Sequence, residues 1–112
     1  MSKVKFPFGE ITTTALSATG DQAVTVDNLM TVIDGVTTQA TGNRTINLTI
    51  PTDIPAGARI FCKLKTNGTE TTTFGTGCSA PTITGVAGKT KVVELIYDGT
   101  NFVAAAAALQ ID

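Results

Sequence analysis

The sequence predicts an all-β protein: a small antiparallel β-sandwich, jelly-roll or immunoglobulin-like, with an extended N-terminal arm. Three observations lead there. Threonine, β-branched and half-polar, takes 22 of the 112 positions, and such side chains suit the wet face of a pleated strand. Eleven glycines supply turns. Several segments alternate apolar and polar residues with period two, while a helical period appears nowhere.

Residues 1–9 are read as the arm and residues 10–112 as one β-sandwich domain. In "KVKFPFGE", Pro7 holds the chain extended between Phe6 and Phe8. Two phenylalanines beside Lys3 and Lys5 near a chain start need tying down. The arm packs on its own domain or anchors in a partner's groove.

"EITTTAL", "QAVTV" and "LMTVID" read as three short strands, with "SATGD" and "VDN" as turns. In "RTINLTI", Ile46, Leu48 and Ile50 share one face. "PTDIPAG" carries Pro51, Pro55 and Gly57, which stop both flanking strands, so this link should cross between sheets. "ARIFCKLK" places Ala58, Ile60, Cys62 and Leu64 on a dry face and Arg59, Phe61, Lys63 and Lys65 on a wet one. Asn67–Gly68 signals a hairpin. "TKVVELIY" is apolar on both faces, which predicts a central strand or one meeting a neighbouring subunit. No internal repeat is visible.

Asp98–Gly99 signals a second hairpin ahead of five alanines. A two-residue turn sets Tyr97 opposite Thr100, Leu95 opposite Phe102 and Val93 opposite Ala104. The alanine run is therefore expected as strand from Phe102 to about Ala106. Its small side chains admit the close approach of an opposing sheet or of another subunit. Phe61, Phe102, Ala104 and Ala106 are the candidate subunit contacts.

Composition also excludes. The chain has no histidine, so Ser-His and Cys-His pairs cannot form and the usual proton shuttle near pH 7 is missing. Ser2, Ser17 and Ser79 lie in no nucleophile context, and the nine acids are scattered. An enzyme, a small-molecule substrate and a cofactor are not expected. Asp21, Asp27, Asp34 and Asp53 sit near turns without a calcium-loop spacing, where Asx-turn capping is the expected role. Two cysteines cannot supply a zinc site, and Cys62 and Cys78 are expected as free thiols. The net charge of −1 offers no global field for nucleic acid or anionic membrane. Lys63, Lys65, Lys89 and Lys91 are read as strand-solubilising charges. No apolar run follows the basic first residues, so neither a secretory leader nor a membrane span is expected.

Residues 44 to 104 resemble small β-domains of tailed-phage virion proteins. The features that carry this are the threonine-rich strand "INLTIPTD", the link "IPAGARI", the loop "TTTFGTG" and the closing hairpin "VVELIYDGTNFV". Such domains occur in capsid decoration (cement) proteins, head fibres and tail-fibre modules. The resemblance implies a non-enzymatic structural protein that binds the major capsid protein as a homo-oligomer, a trimer in the favoured form. It would be made in the host cytoplasm and carried on the virion surface. With one domain's length, a stand-alone decoration protein is expected ahead of a fibre module. In this setting Lys3, Lys5, Phe6, Pro7 and Phe8 are the candidate capsid anchor. The alternative is a receptor- or glycan-binding fibre module, which the absence of tryptophan and the single tyrosine disfavour.

Overall fold

The computed structural model describes residues 11–112. The expected arm, with Lys3, Lys5, Phe6, Pro7 and Phe8, lies outside the described residues. Eleven strands follow in order: β1 (Ile11–Ala15), β2 (Gly20–Thr25), β3 (Met30–Ala40), β4 (Arg44–Thr49), β5 (Arg59–Thr66), β6 (Thr71–Phe74), β7 (Cys78–Ser79), β8 (Ile83–Thr84), β9 (Thr90–Tyr97), β10 (Phe102–Ala104) and β11 (Leu109–Gln110). Among the described residues there is no helix.

The strands form two sheets, ordered β1-β3-β5-β9-β10-β7 and β2-β4-β6-β8, with β11 also paired to β9. Odd and even strands alternate between sheets up to β6. The chain therefore winds as a coil, each lap laying its strands beside those of the previous lap. β1 runs parallel to β3 and β3 parallel to β5. In the second sheet β2 is parallel to β4 and β4 to β6. β8 then turns back antiparallel on β6, and β9 antiparallel on β5, which ends the coil.

This corrects the expectation of an antiparallel sandwich, and the connectivity expected of a jelly-roll or immunoglobulin-like domain is not seen. The physical reason lies in the corners. Leu16 and Val26, which follow β1 and β2, are buried. An apolar residue just past a strand end draws the chain around the core to the opposite sheet, whereas a hairpin would leave it in water. The Asn67–Gly68 hairpin is corrected in the same way. Asn67 N–H donates to the Ala40 carbonyl and Gly68 N–H to Glu70 Oε1, and the chain crosses from β5 in one sheet to β6 in the other. "PTDIPAG" makes the expected crossing from β4 to β5. Laps of unequal length leave no period for the eye to find.

The two sheets enclose one core. Ile33, Ile60, Cys62, Leu64, Val93 and Leu95 from the first sheet meet Val24, Ile46, Leu48, Phe74 and Ile83 from the second. The alternation read in β4 and β5 holds residue by residue. β9 is central, as its two apolar faces predict, with β5 on one side and β10 and β11 on the other.

One interior residue breaks the pattern. Arg44 is 0% exposed and, among the described residues, faces no carboxylate within ion-pairing distance. Its Nη1 donates to the carbonyls of Ser17 (3.3 Å) and Thr38 (3.2 Å), and its Nη2 to those of Gly35 and Lys65 (3.3 Å each). Desolvation holds this guanidinium below its ordinary pKa, with Glu70 pulling it back up. The need for it arises in β3. Register between β3 and β5 slips after the Gly35–Leu64 pair and resumes at Ala40–Thr66. A bulge takes carbonyls out of the ladder, and buried carbonyls need donors. Arg44 supplies them, tying the β1–β2 corner, β3 and β5 together. A Cβ on Gly35 would stand 2.9 Å from Arg44 Nη2 and 2.9 Å from the Lys63 carbonyl oxygen, so only glycine fits beside the guanidinium.

The closing hairpin is also corrected. Phe102 pairs with Tyr97, Val103 with Ile96 and Ala104 with Leu95, so the loop holds four residues where two were expected. The Asp98 carboxylate accepts from the N–H groups of Thr100 and Asn101, and Asp98 N–H donates to the Asn101 carbonyl. Asp98 thus closes a wider turn, with Gly99 at φ 100°. The strand stops at Ala104, short of the expected Ala106.

Candidate functional site

Surface features come from the first sheet's outer face. Successive strands in register build rows across it. One row runs Ile11, Met30, Arg59, Ile96, Val103. The next runs Thr13, Val32, Phe61, Glu94. A third runs Ala15, Asp34, Lys63, Val92, Leu109. Met30, Val32, Phe61, Ile96 and Val103 are all half-buried. They form an apolar band on a face that the core does not use. A half-buried apolar band on an outer sheet face, crossed by Arg59 and Glu94, is a candidate interaction surface.

Charges edge and cross this band. Arg59 Nη1 and Glu94 Oε2 lie 3.2 Å apart, with side chains 56% and 38% exposed. An ion pair this wet contributes at most about 1 kcal/mol, so it serves as a polar marker more than a strut. Asp34 accepts from Val36 N–H, Thr37 N–H and the Thr37 hydroxyl. Its carboxyl is held below the usual carboxylate range chiefly by the Thr37 hydroxyl, then by the two backbone donors, with nearby Lys63 assisting. This is the Asx-type capping role expected of it, applied to the β3 bulge.

A second feature is an apolar cleft of about 210 Å³. Phe74, Pro81, Ile83, Val93 and the alanines at 104 and 106–108 line it. The room left by those alanines is real. Its volume falls short of the roughly 300 Å³ at which small-molecule pockets begin. Lys91 stands in its wall, and its Nζ donates to the Thr84 carbonyl at 2.7 Å.

The candidate contacts separate under this geometry. Phe61 faces outward in the middle of the apolar band. Ala104 is half-buried against the core, and Ala106 is exposed at the cleft. Phe102 is 0% exposed and stacks on Tyr97 at 4.9 Å between ring centroids. The expectation of Phe102 as a subunit contact is therefore corrected: in either register it shares the face of Leu95 and Tyr97, and that is the core face of β9. Lys91 faces the cleft while Lys63 points outward, so the lysines do not gather into one patch.

Sequence reasoning missed the band because it reads one strand at a time. Met30, Val32, Ile96 and Val103 become neighbours only once β3 pairs with β5, and β5 and β10 with β9. The apolar second face of "TKVVELIY" was the single signal of it. Cys62 is buried and Cys78 half-buried, both free. Burial pushes the Cys62 thiol far up, with a smaller contribution from Cys78, and burial raises Cys78 to about 11. Among the described residues no three His, Cys, Asp or Glu side chains cluster as metal ligands. Comparison with family models, curated proteins and solved structures found no match to this chain.

Proposed function

We propose that this chain is a structural virion protein that decorates a phage capsid and stabilises it by binding the major capsid protein. One observation supports the reading from the structural side: the apolar band of Met30, Val32, Phe61, Ile96 and Val103 on a sheet face outside the core. The resemblance of residues 44 to 104 to virion β-domains supplies the partner. Residues Lys3, Lys5, Phe6, Pro7 and Phe8 add an anchor in the same reading.

The mechanism is mass action. A protein that binds the assembled shell and not its separated subunits stabilises the shell by its own binding free energy. Covering apolar area contributes about 25 cal/mol per Å², less the cost of association. Many weak copies then add up over a shell. A glycan-binding fibre tip fits less well. Tyr97 stacks on Phe102 and donates its hydroxyl to the Gly99 carbonyl, so the single tyrosine is already engaged.

The test is occupancy on purified particles, read by mass spectrometry and cryo-electron microscopy. The wild-type protein is expected on the outer shell in many copies. Phe61→Glu, and separately removal of residues 1–9, should lower occupancy at least tenfold while leaving the circular dichroism spectrum intact. Absence of the protein from particles, or unchanged coating by both variants, would refute the reading.

A further inference from the structure

The coil has one closed end and one open end. At the closed end β9 covers β5, and the terminal strands β7 and β8 are only two residues each. At the open end stand β1 and β2. Leu16 N–H donates to the Asp34 carbonyl. In a parallel ladder, residues bonding one neighbour alternate with residues bonding the other. Thr12 and Thr14 thus serve β3, while Ile11, Thr13 and Ala15 aim their N–H and C=O groups at the open edge. β2 behaves alike. Gly20 and Val26 donate to the carbonyls of Asn43 and Thr49, which leaves Asp21, Ala23 and Thr25 aimed outward. Among the described residues nothing pairs with either edge.

Sheet edges are ordinarily blunted by charge, proline, a bulge or short length. β7 and β8 use short length. β1 uses none of these: its five residues, "ITTTA", carry no charge and no proline, and its register with β3 is unbroken. Ile11 at its start is 66% exposed.

We infer that two copies of this chain, in place of the trimer the resemblance implies, pair edge to edge through β1, about a two-fold axis at Thr13, into a dimer with one continuous sheet. The strand's own composition selects a second copy. Antiparallel pairing centred on Thr13 sets Thr13 against the second copy's Thr13 and Ile11 against its Ala15. Threonine and β-branched cross-strand pairs are favourable, and no like charges meet. About six backbone hydrogen bonds form across the strand pair.

The inward polar groups at this end permit the contact. Asn28 Nδ2 donates to the Thr12 hydroxyl. Gln22 Oε1 accepts from Ser17 N–H, and its Nε2 donates to the carbonyls of Thr19 and Gly20. These bonds lie within one chain, so a second copy at the edge breaks none of them. The pairing is self-complementary, as a two-fold interface requires. It also sets two apolar bands side by side on one surface.

Size-exclusion chromatography with light scattering on the full chain tests this without any capsid, so its outcome is separate from the capsid reading. The expected mass is twice the chain's 11.5 kDa. Thr13→Lys sets two ammonium groups opposite each other at the axis and should weaken the dimer at least tenfold, with an unchanged circular dichroism spectrum. Thr13→Cys sets two thiols across a pair with Cα atoms about 5.5 Å apart, inside disulfide reach. Oxidation should then give a covalent dimer on a non-reducing gel, in Thr13→Cys and also in Thr13→Cys with Cys78→Ser, while wild type, with Cys62 buried and Cys78 half-buried, gives none. A monomeric or trimeric wild-type mass overturns the inference. So does a dimer that Thr13→Lys leaves intact and Thr13→Cys fails to cross-link.

Discussion

Replacing Arg44 with methionine tests the account of what holds the coil together. The substitution keeps an unbranched apolar stem and removes the charge with all its donors. Two effects oppose each other. Removing a buried charge relieves a desolvation cost of several kcal/mol. Against that, four carbonyls, at Ser17, Gly35, Thr38 and Lys65, lose their donor. A buried unsatisfied group costs about 1–3 kcal/mol. Charge-assisted bonds to four carbonyls, at about 1.5–3 kcal/mol each, outweigh the relief even though water can reach the carbonyls of the exposed Ser17 and Thr38. The expected net loss is about 3–5 kcal/mol, the difference between the lost bonds and the relieved desolvation. In a domain with about 5–15 kcal/mol of total stability this is severe. The melting temperature should fall by about 12–30 °C. Urea unfolding followed by circular dichroism should show a lower midpoint with an unchanged slope. Arg44→Lys should fall between, because three donors on one nitrogen cannot span four carbonyls. A methionine variant melting within about 3 °C of wild type would refute the reasoning, since the bulge carbonyls would then have other partners.

Gly35→Ala should cost about 1–3 kcal/mol by overpacking, because its Cβ meets the Lys63 backbone oxygen and Arg44 Nη2. The cost should not add to that of Arg44→Met in a double-mutant cycle, and full additivity in urea melts would count against the shared site. Asp34 has a folded pKa below its unfolded value of about 3.9, so its contribution is present above that value and lost as pH falls through the folded pKa. Asp34→Asn should therefore lower the urea midpoint at pH 7 and match wild type near pH 2, and a gap independent of pH would contradict the carboxylate's role. Cys78, raised to about 11, should hold about two orders of magnitude less thiolate at pH 8 than an ordinary cysteine. Native protein should then react slowly with an aromatic disulfide reagent and yield two thiols promptly in guanidinium. Fast labelling of the folded state would contradict the burial.

Much of the molecule was legible in the order of its residues. β4 and β5 could be placed with their dry faces, and β9 as a central strand, because period-two alternation is local and each strand carries its own record of which side meets water. The crossing at "PTDIPAG" was equally legible, since proline and glycine restrict the backbone wherever they sit. The partners of those strands were not. A turn signal such as Asn67–Gly68 or Asp98–Gly99 marks a change of direction, but the destination depends on what the neighbouring corner residues bury. Leu16 and Val26 look like ordinary apolar residues in the chain and act as pivots only around a common core.

The same limit governed Arg44. Alternation in "RTINLTI" places it on the dry face with Ile46, where an arginine looks out of place. Its role depends on carbonyls at 17, 35, 38 and 65, which converge only after β3 has bulged against β5. Phe102 and the apolar band are matched cases: a ring assigned to the surface turned inward, and scattered valines and a phenylalanine became one face. Local alternation and turn chemistry reside in neighbouring residues and can be read along the chain. Strand partners, buried polar contacts and surface patches come from residues far apart in sequence, and they exist only once the coil is wound.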